Sequence, residues 1–135
     1  MANIELIKTS LQKENDGVWV DFAEGIELRI ARARNPKYQE LLRKLVDPVR
    51  MKIRNDEIDM KDFNKILLEV RAKTILLDWK NIDDKDGKSI PYSVTKALEF
   101  FRDPELKDLY TFVVTISENA DQYKKSLVID SEKNS

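Results

Sequence analysis

The sequence contains no cysteine and no histidine, and it has only three glycines among its 135 residues. Without cysteine there is no disulfide framework and no thiolate metal site. The lack of both residues also excludes Ser–His and Cys–His nucleophiles, imidazole acid–base chemistry and most zinc chemistry. Gly17, Gly25 and Gly87 stand too far apart for a phosphate-binding loop. We therefore expect a protein that is not an enzyme.

Carboxylates are the remaining candidates for chemistry. A carboxylate hydrolase could operate with two acids, but the sequence has 25 and singles out no pair. The loop 83–87 deserves a test as a calcium site. Aligning Gly87 with the sixth position of an EF-hand puts Ile82 at the first position and Ser93 at the twelfth, where acidic ligands are needed. We expect a solvated turn there, and no catalytic residue, cofactor or metal.

Long apolar runs are also missing. The longest contain three residues, such as 66–68 and 75–77, whereas a membrane-spanning helix needs about 20. Acids and lysines interrupt the N-terminal segment, which is not the pattern of a signal peptide. The formal net charge of -1 gives no overall field toward DNA or anionic lipid. These features predict a soluble cytoplasmic protein with no membrane partner.

Apolar residues alternate with polar ones in the first thirty residues, and a period of two indicates strands with one buried face. The alternating residues are Ile4 and Leu6, then Val18, Val20 and Phe22, then Ile26, Leu28 and Ile30. Turn residues at 15–17 and 24–25 separate the last two groups. The pattern predicts a small antiparallel meander, which helices must cover because three short strands are marginal alone.

Helical spacing replaces the alternation from Asn35-Pro36, a good helix start. Asp47-Pro48 should kink that helix or begin another. Further helices are predicted at about 59–77, from Ser93, and from Asp103-Pro104-Glu105, with a loop at 81–91. The predicted fold is α+β, mostly α: a short N-terminal antiparallel β meander or hairpin packed on three to five helices. Residues 1–124 form one domain and residues 125–135 a polar C-terminal tail.

Positive charge concentrates between Arg29 and Arg54, where nine bases and two acids give a formal charge of +7. The stretch has three interpretations: a solvated outer face, a surface for an acidic protein, or a nucleic-acid contact. If it binds a partner, the candidate residues are Arg32, Arg34, Lys37, Arg43, Lys44 and Arg50.

Two tryptophans also stand out. Trp19 points away from the Val18 and Val20 face, so it is either exposed as a partner anchor or covered by its own domain, and we expect the latter. Trp79 is expected to be a core residue that closes the end of the helix at 59–77. Apolar pairs such as Phe100 with Phe101, and Phe112 with Val113, widen two helical stripes beyond what one small domain needs.

Three groups of short segments together resemble the tail assembly chaperones of long-tailed, siphovirus-type bacteriophages. The segments are Gly17–Val20, Ile30–Arg32 and Asn35–Tyr38; Asp78–Ile82, Asp86–Lys88 and Ile90–Ser93; and Asp103–Asp108 with Asn119–Tyr123. Their order and spacing carry the resemblance, which covers roughly residues 13–124. No segment is specific by itself, because each is a hairpin, a cap or a loop.

The resemblance implies a function in tail morphogenesis. Such chaperones bind the tape measure protein in the host cytoplasm, help recruit tail tube protein, and are absent from the mature virion. A frameshifted longer form is a further partner that the resemblance implies, and the wide apolar stripes suggest a homo-oligomer as another. The alternative is a small nucleic-acid-associated regulatory protein that uses the basic stretch 29–54. Steep loss of duplex binding as salt rises would favour that alternative.

Overall fold

The computed structural model describes residues 3–125, so most of the predicted polar tail, from residue 126 onward, lies outside the described residues. The strands are β1 (Val18–Asp21), β2 (Glu27–Ile30) and β3 (Leu76–Lys80). The α-helices are α1 (Leu11–Asp16), α2 (Pro36–Val46), α3 (Arg50–Arg54), α4 (Met60–Thr74), α5 (Val94–Arg102) and α6 (Lys107–Glu118). Short 3-10 turns cover Ile4–Ile7, Asp47–Val49, Pro104–Leu106 and Ala120–Tyr123. The predicted α+β fold, mostly α, is confirmed.

The sheet is antiparallel, with β2 in the centre between β1 and β3. Trp19 pairs with Arg29, and Leu28 pairs with Trp79 on the other side. The alternation predicted for residues 18–30 is confirmed, because Leu28 and Ile30 are fully buried while Trp19 is exposed. The hairpin therefore supplies the buried face on which the helices pack.

The predicted strand at Ile4 and Leu6 is wrong. Residues Ile4–Ile7 form a 3-10 turn, whose first amide is capped by the side chain of Asn3 at 3.0 Å from the nitrogen of Glu5. No strand lies beside this segment within the described residues, and Ile4, Leu6 and Ile7 are all exposed. Because this short alternating segment has no neighbouring strand with which to form hydrogen bonds, it folds into a local turn instead.

The third strand comes from a region predicted to be the end of a helix. Helix α4 stops at Thr74, and the chain continues as β3. Both Ile75 and Leu76 are buried, as is Trp79 three residues later. The amide of Ala31 donates to the carbonyl of Ile75 at 2.8 Å. Pairing with the open edge of β2 thus overrides the helical pattern, because strand formation depends on its neighbours more than on local preference.

The predicted helix starts are confirmed. The Asn35 side chain accepts from the amide of Tyr38 at 2.9 Å, and its amide group donates to the carbonyls of Arg32 and Thr74. Ser93 caps α5, and Asp103 caps the 3-10 turn that leads into α6. At Asp47-Pro48 the chain forms a 3-10 turn and then α3, as the proline predicts.

Aromatic residues fill the core between the sheet and the last two helices. Trp79 lies between Tyr92 and Phe100, with ring centroids 4.9 and 5.1 Å away, and its indole nitrogen donates to the carbonyl of Ile90 at 2.7 Å. Trp79 is therefore a core residue, as expected, but it lies on β3 and not at a helix end. No helix among residues 3–125 is both long enough and apolar enough to cross a membrane.

Candidate partner-binding site

Most of the cations in the basic stretch are exposed. Arg34, Lys37, Arg43 and Lys44 lie on α2 or just before it, and Arg50 begins α3, all with exposed side chains. Lys44 pairs with Glu40 at 3.5 Å, and Arg50 pairs with Asp47 on the same turn. Exposed pairs of this kind contribute little to stability. Carboxylates of a partner protein can therefore replace Glu40 and Asp47 in these ion pairs with little loss of stability.

Arg32 has a different environment from the other five candidate residues. Its side chain is mostly buried, with Nε 3.6 Å from a carboxylate oxygen of Glu14, and its guanidinium lies over the ring of Tyr123 at 5.4 Å. These contacts join α1 to the last 3-10 turn. Arg32 thus contributes to internal packing and does not lie on the exposed surface with Arg43 and Arg50.

A groove of about 770 Å³ lies between α2, α4 and α5, and we call it the cationic groove. Its apolar lining residues are Leu45, Ile66, Leu68 and Phe101, and its cations are Lys61, Lys65 and Arg102. Glu69 is the one acid lining it, and that carboxylate already bonds Lys73 at 3.1 Å. The combination can hold the apolar side of an amphipathic segment while its acids meet the cations.

The positions of these residues follow from helix geometry. Lys61 and Lys65 are four residues apart on α4, so they lie one above the other on the same face. Arg102 is the last residue of α5, directly after the buried Phe101. Leu45 follows Lys44 on α2, which places the groove next to the basic stretch.

Sequence reasoning missed all three groove cations. Lys61, Lys65 and Arg102 lie outside the +7 stretch, and they come from two helices, α4 and α5, that a strand and a loop separate in sequence. Only the packing of α4 against both α2 and α5 brings them to one surface. The spacing of Lys61 and Lys65 beside Ile66 was the one available signal.

The described residues contain no cluster of three or more acids, cysteines or histidines placed to hold a metal ion. In the loop 83–87, which was compared with a calcium-binding loop, one carboxylate oxygen of Asp84 accepts hydrogen bonds from the amides of Asp86 and Lys88 at 2.8 and 2.9 Å. That oxygen therefore closes the turn.

The expectation that the domain covers Trp19 is wrong. The side chain is 39% exposed at the edge strand β1. The ammonium group of Lys80 lies 4.1 Å from the centroid of the Trp19 ring, and within residues 3–125 this is the one cation–ring contact that Trp19 makes. Of the two alternatives, exposure of Trp19 is the one consistent with the structure.

A family model described as YdaY prophage protein matches residues 33–134. The chain belongs to this family. The matched residues include those that line the cationic groove and the exposed cations of the basic stretch. Comparison with curated proteins gives no match, and comparison with solved structures gives none. Membership of the YdaY prophage family shows that the chain is derived from a bacteriophage.

Proposed function

We propose that this chain is a non-catalytic phage tail assembly chaperone, which binds the tape measure protein in the host cytoplasm and helps recruit tail tube subunits. The observation that carries the proposal is the cationic groove: four apolar residues bordered by three cations, on a phage-derived protein. A tape measure protein is long and helical, and its apolar surface needs cover until the tube encloses it. An amphipathic helical segment with acids along its edges fits the groove.

Two exposed methionines are neighbours of cations in the sequence, although neither lines the groove. Met51 lies between Arg50 and Lys52 and is 64% exposed, and Met60 precedes Lys61 and is 68% exposed. Methionine is flexible and polarisable, so it adapts to varied apolar partners. Charge on this surface would increase the rate of association, and the apolar contacts would supply most of the affinity.

Co-expression with the tape measure protein of the same phage tests the proposal. We expect the parent chain to form a complex and to raise the soluble fraction of that protein. The double variant Lys61→Glu with Lys65→Glu should lose most of this effect, because it reverses two of the three groove cations. The matched control is Lys85→Glu with Lys88→Glu, which makes the same charge change in the exposed 81–90 loop. A tape measure protein that stays insoluble with the parent chain would refute the proposal.

The second candidate function is nucleic-acid regulation, which the exposure of Arg34, just before α2, and of Lys37 and Arg43 on it favours. It predicts binding to random duplex DNA at low salt, with a steep loss of affinity as salt rises. Titration of labelled duplex with the parent chain and with Arg43→Glu separates the two functions. Duplex binding that depends on Arg43, together with no effect on the tape measure protein, would favour the regulator.

A further inference from the structure

A second concave surface has the opposite charge. This pocket, of about 410 Å³, lies where the tip of the β1–β2 hairpin, the loop after β3 and the junction of α5 with α6 meet. It shares no lining residue with the cationic groove. Its charged lining residues are Asp83, Glu105 and Asp108, all carboxylates, and we call it the acidic pocket.

The apolar floor of the acidic pocket is held by the core. Phe100, at the floor, stacks on Trp79 at 5.1 Å. The amide of Ile90 donates to the carbonyl of Ile82 at 2.7 Å, which closes the loop that forms one wall. The amide of Phe22 likewise donates to the carbonyl of Ile26 at 2.9 Å at the hairpin tip. These hydrogen bonds hold the loop and the hairpin tip in place without a ligand, which reduces the free-energy cost of ordering the pocket on binding.

The carboxylates at the rim remain available. The side chains of all three carboxylate residues, Asp83, Glu105 and Asp108, are exposed. Within residues 3–125, none of them forms an ion pair. Lys107 precedes Asp108 in sequence but does not line the pocket. Three acids around an apolar floor repel phosphates and anionic lipid headgroups. They attract a group that is both apolar and flanked by positive charge.

We propose that the acidic pocket binds a cationic peptide segment of a partner protein, which inserts one large apolar side chain between flanking lysines or arginines. The apolar side chain contacts Phe100, Leu106 and Leu109, and the flanking cations meet the three carboxylates. The cationic groove selects acidic segments, so the molecule has two docking sites with opposite charge preference. This inference does not depend on the tape measure protein being the ligand of the groove.

Fluorescence anisotropy with a labelled peptide of sequence Lys-Lys-Leu-Phe-Lys-Lys tests the pocket. The control peptide has glutamate in place of every lysine. We expect the lysine peptide to bind the acidic pocket. The glutamate peptide suits the cationic groove, so any affinity that it shows should not change when the carboxylates of the acidic pocket are removed. Glu105→Gln with Asp108→Asn should weaken binding about tenfold and flatten its salt dependence. The matched control, Glu57→Gln with Glu118→Gln, removes two exposed acids that do not line the pocket and should leave affinity unchanged.

A second variant separates the floor from the rim. Leu106→Ala removes apolar contact without changing charge, so affinity should fall while the salt dependence stays the same. Equal loss of lysine-peptide affinity in the rim and control double variants, or equal loss of glutamate-peptide affinity in the rim variant, would overturn the proposal. If the chain self-associates and the peptide competes with that association, the occupant is a second copy and the assignment to another protein is wrong. The groove variant Lys61→Glu with Lys65→Glu should leave peptide affinity unchanged, which distinguishes failure of this site from failure of the groove.

Discussion

At the scale of single residues, Tyr123 joins the last described turn to the sheet. Its side chain is fully buried, and its hydroxyl donates to the carbonyl of Ile30 at 3.0 Å. Burial raises the pKa of Tyr123 above the usual value of tyrosine; nearby Arg32 lowers it in part and Glu14 raises it. The proton is therefore held more tightly in the folded chain than in the unfolded chain.

This pKa shift predicts a loss of stability in alkaline solution. The unfolded chain releases the phenolic proton above pH of about 10, while the folded chain keeps it, so the free energy of unfolding should fall as pH rises further. Tyr123→Phe should lower stability by about 1 kcal/mol at neutral pH and should reduce the alkaline loss. Urea unfolding at several pH values measures both effects.

Part of the alkaline loss should remain in the Tyr123→Phe variant, because burial and the nearby Asp78 also raise the pKa of Tyr92. The Tyr92 hydroxyl donates to the carbonyl of Leu76 at 2.7 Å. Tyr92→Phe is thus the companion variant. Identical pH dependence in the parent and in both variants would contradict the assignment.

At the scale of elements, the junction between α1 and β1 depends on one glycine. Gly17 has φ of 84°, a conformation that side chains rarely adopt. A Cβ there would lie 3.2 Å from the backbone carbon of Ile30 and 3.0 Å from Cγ of Arg29. Gly25, in the hairpin turn, has a similar φ of 81° but open space around it.

The two glycines form a matched pair for mutation. Gly17→Ala should lower the free energy of unfolding by about 3 kcal/mol, because backbone strain and crowding against β2 add together. Gly25→Ala should cost only about 1–2 kcal/mol, from strain alone. Chemical denaturation followed by circular dichroism compares them. Equal losses would show that the close approach of Gly17 to Ile30 is unimportant.

Element types were predictable where local signals agreed. The cap at Asn35, the proline break after Asp47 and the alternation in 18–30 each combine a side-chain preference with a period, and each is confirmed. The strand β3 was not predictable, because Leu76–Lys80 comes directly after a strong helix and forms a strand only by pairing with β2. The 3-10 turn at Ile4–Ile7 was missed because alternation in three residues does not supply a partner strand.

At the scale of the whole molecule, charge is divided between two concave surfaces. The +7 stretch indicated a positive surface from sequence, and five of its six candidate residues are exposed. The cations that line the groove, and the acids that line the second pocket, come from segments far apart in the chain. Sequence alone therefore predicted a concentration of positive charge between residues 29 and 54 but neither cavity nor the charges that line them.

The basic stretch should govern the rate of association in the proposed chaperone function. Arg43→Glu with Arg50→Glu should slow binding of the tape measure protein several-fold and weaken its dependence on salt, since exposed charges act mainly on encounter. Stopped-flow mixing at two salt concentrations measures this, and thermal unfolding verifies the fold. Unchanged rates in the double variant would remove the steering role and leave the groove proposal intact.

The unequal burial of the two tryptophans gives the molecule two optical probes. Trp79 is 5% exposed among aromatic rings, whereas Trp19 is 39% exposed beside Lys80. Emission from Trp79 should therefore lie at shorter wavelength and resist quenching by iodide, while Trp19 should be quenched readily. Unfolding changes the first signal most, and a partner that covers β1 changes the second. One spectrum can thus separate loss of structure from occupation of the sheet edge.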